Sequence, residues 1–173
     1  MSSIRLRRAY VHAKARMLLA EFGIVCPPVD IESIIQQKGI ALKYHLIEDL
    51  PYPVTFKIRD RFIISVNPTN PGRDRWSMAH EFAHIELGHF DLGVDTVKQD
   101  NLTDNERYIL DREADLFARD ILMPKLWVYN QIRTRFNEKA LRAEYVHQLA
   151  EIFGVSRQAM SIRLSEIGVA QSI

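Results

Sequence analysis

The stretch Arg75-Trp76-Ser77-Met78-Ala79-His80-Glu81-Phe82-Ala83-His84 ends in the motif HExxH. In a helix, His80 and His84 lie one turn apart on one face, with Cβ atoms roughly 5–6 Å apart, so both imidazoles can bind one metal ion. Imidazole suits Zn²⁺, and a catalytic zinc has three protein ligands and one open position for water. Glu81 is then placed to act as the general base toward that water. The motif therefore predicts a zinc site with a third ligand elsewhere in the chain.

The residues around the motif predict a buried helix. Apolar side chains occupy nearly all its faces, and Gly88 supplies a helix end. Two histidines and a glutamate in such a helix are costly to bury unless something satisfies them, and a metal ion does so. The alternative is a pair of core histidines without a ligand.

Composition limits the class of protein. The chain has 173 residues, of which 47% are hydrophobic and 26% charged, with a net charge of +1. These values fit one globular domain, or a domain with a small appendage, and argue against a broad nucleic-acid-binding surface. The sequence shows no signal peptide and no apolar run long enough for a membrane span. Cys26 is the single cysteine, so no internal disulfide forms, and we expect a cytoplasmic protein.

The order of predicted elements indicates an α+β fold. Hydrophobic periodicity and capping residues predict helices at 4–22, 31–38, 104–122 and 124–135, and two more between 140 and 167, split at Gly154 to Ser156. Alternation predicts a strand at 40–45 and an antiparallel hairpin of 54–58 with 61–67, which directly precede the HExxH helix. We expect a core of residues 1–135, with a small antiparallel or mixed sheet, and a C-terminal helical pair at 136–173, or one domain of 1–173.

The third metal ligand is predicted on the second core helix. The pattern HExxHxxGxxH requires a glycine at 87 and a histidine at 90, where the chain has Leu87 and Phe90, so His89 is a residue just past the helix end. An acid on a helix packed across the first is the other solution. Glu113 is preferred because it adjoins an apolar stripe and should point into the core. The other candidates are Glu106, Asp111, Asp115 and Asp120.

Further polar residues have possible roles around such a site. Asp115 or Asp120 can accept a proton from the far nitrogen of a ligand imidazole. The candidates for stabilising an oxyanion are Tyr52, Tyr108, His89 and His147. The strand 61–67 either offers an unpaired edge to an extended peptide or lies inside the sheet.

Three stretches together resemble the ImmA/IrrE family of bacterial and phage metallopeptidases: RWSMAHEFAHIELGH, EADLFARDILMP and LAEIFGVSRQAMSIRLSEIG. The resemblance covers about residues 10–168. It implies a zincin-like peptidase core in which His80, His84 and Glu113 bind Zn²⁺ and Glu81 is the general base. The family often has glycine at position 83 and asparagine at position 115, where this chain has Ala83 and Asp115.

The resemblance also implies a substrate, a helix-turn-helix transcriptional repressor whose cleavage derepresses a mobile-element or stress-response operon.

Two alternative functions belong to classes other than peptidases. Residues 149–160 read as a helix-turn-helix, and DNA contacts are then expected from Arg157, Gln158, Ser161 and Arg163. A near-neutral chain with two cations on this helix gives weak electrostatic affinity for DNA. The last alternative is a zinc-binding regulator that sequesters its partner without cleaving it.

Overall fold

The computed structural model describes residues 4–44, 54–66, 71–92, 102–136 and 142–169, with only the backbone at 71–73. It confirms the α+β class. The helices are α1 (Arg8–Glu21), α2 (Ile31–Gln37), α3 (Pro71–Glu86), α4 (Asp104–Leu122), α5 (Lys125–Arg135), α6 (Ala143–Phe153) and α7 (Arg157–Glu166). The strands are β1 (Ala41–Tyr44), β2 (Val54–Ile58) and β3 (Arg61–Val66), and a 3₁₀ turn spans His89–Leu92.

Helix α1 begins four residues later than the periodicity predicts. The Arg7 backbone N–H donates to a Glu113 carboxylate oxygen at 2.5 Å instead of facing solvent at a helix start. The segment before Arg8 is therefore held by a tertiary contact, and the periodicity of residues 4–22 contains no sign of that contact. Residues 45–53 and 93–101 fall outside the described ranges.

The three strands form a mixed sheet in the order β1-β3-β2. The predicted hairpin is confirmed, since β2 pairs antiparallel with β3 across a turn at Arg59 and Asp60. Strand β1 pairs parallel with β3. The suggestion that 61–67 offers an open edge is therefore wrong, because β3 is the central strand, and β2 and β1 are the edges among the described strands.

Helix α3 lies between the sheet and α4, and α4 also packs on α1. Phe82 and Phe117 meet edge to face with ring centroids 6.0 Å apart, both fully buried. Gly88 ends α3 with φ of 71°, a left-handed conformation that glycine adopts without strain. Thr103 and Glu106 form a capping box at the start of α4. These contacts fix α3 and α4 side by side.

The C-terminal helical pair is joined to the rest of the molecule by polar and apolar contacts. The Arg163 guanidinium donates to the Met123 carbonyl at 2.9 Å and lies 3.0 Å from Asp120, and the Tyr129 hydroxyl donates to the Ile167 carbonyl. Buried residues of α6 and α7 belong to the same hydrophobic cluster as those of α1 to α4. The division at residues 135 and 136 stays a prediction. Among the described helices, none is both long and apolar enough to span a membrane.

Candidate metal centre

Two imidazoles and one carboxylate converge between α3 and α4. The Nε2 atoms of His80 and His84 are 3.2 Å apart, and Asp111 Oδ1 lies 3.6 Å from His84 Nε2. One ligand atom from each of these residues lies within 4.8 Å of the others. His84 is buried, whereas the Asp111 side chain is half exposed. The structure thus brings together two of the predicted ligands, and the acid beside them is Asp111.

The far nitrogen of His80 has a carboxylate partner. His80 Nδ1 is 3.0 Å from Asp115 Oδ1, so a ring protonated at Nδ1 donates to Asp115 and presents its Nε2 lone pair to the cluster. Of the two acids predicted for this contact, Asp115 makes it. Asp120 instead pairs with His12 and Arg163 near α7.

The far nitrogen of His84 meets a second histidine. His84 Nδ1 is 3.0 Å from His89 Nδ1, and His89 Nε2 is 3.1 Å from Glu113 Oε2. The side chains of His89 and Glu113 are both 0% exposed. His89 does lie just past the helix end, as predicted, but it turns inward and separates Glu113 from His84.

Glu113, the predicted third ligand, lies outside the cluster of His80, His84 and Asp111. Its carboxylate accepts hydrogen bonds from the Arg7 side chain at 2.6–3.1 Å, in addition to the contact with His89. Helical geometry explains why Glu113 lies apart from the cluster. Asp111 and Asp115 are one turn apart on one face of α4, whereas Glu113 lies about 160° around the helix axis from Asp111. The apolar stripe does face the interior, but at Glu113 that interior is the contact with the segment before α1.

The burial and neighbours of these groups shift their pKa values. Burial alone would raise the pKa of Glu113, but hydrogen bonds from His89 and Arg7 outweigh it and lower the pKa to about 2. Burial, then the positive potential of His80 and His89, holds the pKa of His84 well below its usual range. Burial also acts to lower the pKa of His80, but Asp115 and the nearby carboxylates reverse the effect and raise it. Without a metal ion, His80 therefore takes up a proton more readily than His84.

Glu81 points toward the sheet. The Thr55 hydroxyl of β2 donates to Glu81 Oε2 at 2.6 Å, and Thr55 is 1% exposed. Burial raises the pKa of Glu81, and the Thr55 hydrogen bond offsets this only in part. A carboxylate with a raised pKa accepts a proton more readily than a solvated one, which is the property required of a general base.

The structure also places the residues predicted to stabilise an oxyanion and one residue predicted to contact DNA. Tyr108 is exposed on α4, one turn before Asp111 and on the same face. His147 lies near Glu151 on α6. His89 is buried, and its Nε2 is within hydrogen-bond distance of Glu113. Tyr52 lies outside the described residues. Arg163, predicted to reach DNA, is 5% exposed and bound to Asp120 and Met123, so it is not available to DNA.

Four residues of the site were not assigned these roles from the sequence. Asp111 was one of several candidate acids, and its spacing of four from Asp115 is the signal that would have selected it. His89 was identified but not as a partner of His84. Arg7 and Thr55 carry no local signal, because they reach the site from distant parts of the chain.

Comparison with known proteins shows the family to which the chain belongs. A family model described as Peptidase_M78, IrrE N-terminal-like domain, matches residues 38–165. The chain belongs to this metallopeptidase family. The resemblance to ImmA/IrrE proteins is thereby confirmed, and the domain is metallopeptidase-like. A search of curated proteins gives no significant match.

A solved structure supports the fold. A Mycobacterium tuberculosis transcriptional regulator is similar to this chain with a TM-score of 0.60 and 22% sequence identity. The match covers 91% of this chain and 46% of that chain, so this chain spans about half the length of that regulator. At this identity, the similarity establishes the fold alone.

The M78 family implies a metal ion, and the donor set fits one. Zn–N bonds of about 2.0–2.1 Å at a tetrahedral angle place two ligand nitrogens about 3.3–3.4 Å apart, close to the 3.2 Å between the His80 and His84 Nε2 atoms. With both rings protonated at Nδ1, each Nε2 carries a lone pair, and one ligand atom from each of the three residues lies within 4.8 Å of the others. A cation satisfies all three, whereas a single shared proton satisfies only the two rings.

Proposed function

We propose that this chain is a zinc-dependent endopeptidase in which His80, His84 and Asp111 hold the metal and Glu81 is the general base. The observation that carries the proposal is the convergence of two imidazoles and a carboxylate next to a partly buried glutamate that is oriented by Thr55. Three protein ligands leave the fourth position of a tetrahedral ion open, which is typical of catalytic rather than structural zinc sites.

When bound, the metal supplies Lewis acidity toward a carbonyl group and toward a water molecule. The residues of the chain provide the rest. Glu81 takes a proton from the attacking water and delivers it to the leaving amine, and its raised pKa suits both transfers. Asp115 holds His80 in the orientation that directs Nε2 into the cluster.

Strand β2 is the natural place for the substrate backbone. It is an edge of the described sheet, and its Thr55 contacts Glu81 directly, so a peptide that pairs with β2 lies next to the general base. Tyr108 is the described candidate for stabilising the oxyanion, because it is exposed on the same face of α4 as Asp111.

The proposed substrate is a helix-turn-helix transcriptional repressor in the cytoplasm, cleaved so that a mobile-element or stress-response operon is derepressed. This part rests on the family membership and on the resemblance to ImmA/IrrE proteins. The near-neutral net charge and the burial of Arg163 favour a protein partner over direct DNA binding.

The test is incubation of the zinc-loaded protein with the repressor encoded next to it. We expect one or a few discrete fragments with the wild type, a loss of roughly 10²–10⁴-fold in rate with Glu81→Gln, and unchanged zinc content. Glu86→Gln is the matched control, because Glu86 lies on the same helix but pairs with Lys14 away from the cluster. Its rate should equal that of the wild type.

The same experiment examines the alternative of a sequestering regulator. If the wild type and Glu81→Gln both bind the repressor tightly and neither cleaves it under any condition, the protein sequesters its partner and the peptidase proposal fails. If Glu81→Gln binds but only the wild type cleaves, the protein is an enzyme.

A further inference from the structure

We propose that Arg7, Glu113 and His89 form a positioning relay that fixes the tautomer and orientation of His84 and thereby sets the metal affinity of the site. The inference rests on the proposed metal site, and assigns Glu113 a role other than metal ligation. These three side chains are called the relay below.

The relay is a continuous series of polar contacts that ends in a charged pair. His84 Nδ1 meets His89 Nδ1 at 3.0 Å, and His89 Nε2 meets Glu113 Oε2 at 3.1 Å. Both Glu113 oxygens then accept from Arg7, through its side-chain Nε at 3.0–3.1 Å, its terminal nitrogen at 2.6 Å and its backbone N–H at 2.5 Å. His89 and Glu113 are completely buried, so water does not compete for the contact between them, whereas the Arg7 side chain is 37% exposed.

With a neutral His89, the protons in the relay have one consistent arrangement. An ionised Glu113 only accepts hydrogen bonds, so His89 donates from Nε2. A neutral His89 then has a lone pair at Nδ1, so His84 must donate from its own Nδ1. That tautomer leaves the lone pair of His84 on Nε2, the atom that faces His80 and Asp111. The opposite tautomer would place a hydrogen at the metal position and prevent His84 from binding the ion.

The relay also connects distant parts of the chain at the end of α3. Arg7 and Glu113 are separated by 106 residues, and the Arg7 guanidinium also donates to the Leu87 carbonyl, just past α3, at 3.2 Å. Arg7 thus ties the segment before α1 to both helices that carry the cluster. The geometry of His84 depends on a residue outside the HExxH motif and outside α4.

Zinc affinity, measured by competition with a chromophoric chelator, tests the relay without reference to peptidase activity. We expect His89→Phe and Glu113→Ala to weaken zinc binding roughly 10–100-fold, the usual cost of losing an outer partner of a ligand. His89→Gln should restore most of the affinity, because the glutamine amide accepts at Oε1 and donates at Nε2. Arg7→Ala, which removes the cation paired with Glu113, should weaken zinc binding as well. Lys14→Ala is its matched control, since Lys14 is also a cation of this region and pairs with Glu86.

A spectroscopic measurement on the wild type gives an answer that does not depend on how the variants fold. Imidazole ¹⁵N–¹H correlation spectra of the zinc-loaded protein should show His84 protonated at Nδ1 and His89 protonated at Nε2. Either ring in the opposite tautomer overturns the relay. Zinc binding by His89→Phe and Glu113→Ala that equals the wild type overturns it as well.

These results separate the relay from the proposed function. If the wild type binds no zinc, the metal site fails and the relay fails with it. If the wild type binds zinc and shows the expected tautomers but cleaves no repressor, the peptidase proposal fails and the relay stands. If the wild type cleaves the repressor while the relay variants bind zinc as tightly as the wild type, only the relay fails.

Discussion

The two imidazoles of the cluster are held by opposite means. At the open end, His80 is held by Asp115, whose side chain is 45% exposed, and Asp111 beside it is 54% exposed. At the sealed end, His84 is held by His89 and Glu113, which are both 0% exposed, with Arg7 behind them. One helix, α4, supplies the carboxylates to both ends from opposite faces.

The difference shows that one side of the cluster is rigid and buried, while the other is accessible to solvent. A buried network of charges and hydrogen bonds is strong because water does not screen it, but it is costly if one member is removed. An exposed carboxylate contributes little to folding and remains accessible to solvent and to a substrate. The sealed end therefore supports the fold and the geometry of His84, while the open end, with Glu81 and β2 near it, is where the proposed chemistry would take place.

The largest expected contrast is in metal binding at the open end. Asp111→Ala removes a proposed ligand, whereas Asp115→Ala removes only the partner of His80. We expect Asp115→Ala to lose roughly 10–100-fold in zinc affinity and Asp111→Ala to lose more than that. Chelator competition at neutral pH measures both. Equal affinities for Asp111→Ala and the wild type would remove Asp111 from the proposed ligand set.

The second contrast is in stability without metal. Glu113→Gln removes the charge that pairs with Arg7 and His89, so we expect a loss on the order of 3 kcal/mol at pH 7, from a carboxyl pKa of about 2 against an ordinary 4.5. Urea denaturation of the metal-free proteins measures it. Asp115→Asn is the control at the open end, where an exposed carboxylate should contribute less than about 1 kcal/mol.

The pH dependence of the Glu113→Gln difference has a defined sign. The pKa of Glu113 is lowered in the folded protein, so its charge stabilises the fold above about pH 4.5, and this contribution is lost as the pH falls toward about 2. The gap in unfolding free energy between the wild type and Glu113→Gln should therefore be constant near neutrality and close across that window. A gap that persists at pH 2 would mean that side-chain shape, not charge, accounts for the loss.

The sequence was informative where a signal is local. HExxH located both imidazoles and Glu81, Thr103 with Glu106 and Ser156 marked helix starts, and Gly88 and Gly154 marked ends. The choice among acids on α4 was decided by packing. An apolar neighbourhood indicates that a side chain faces inward, but not which partner it meets there, and Glu113 meets Arg7 from a segment 106 residues away. The spacing of four between Asp111 and Asp115 was the better guide, because it is a property of the helix itself.

The smallest predicted effect concerns Thr55, which joins the open end to the sheet. Its hydroxyl donates to Glu81 and stabilises the charged carboxylate, so Thr55→Val should raise the pKa of Glu81 further. A higher pKa keeps the base protonated to a higher pH. The acidic limb of the pH profile of kcat/KM should then move upward, by about one pH unit or less.

Thr134→Val on α5 is the control for Thr55→Val, since the Thr134 hydroxyl donates to backbone carbonyls of its own helix and should leave the acidic limb unmoved. A downward shift with Thr55→Val would mean that this hydroxyl does not stabilise the charged form of Glu81, and the acidic limb would then belong to another group of the cluster.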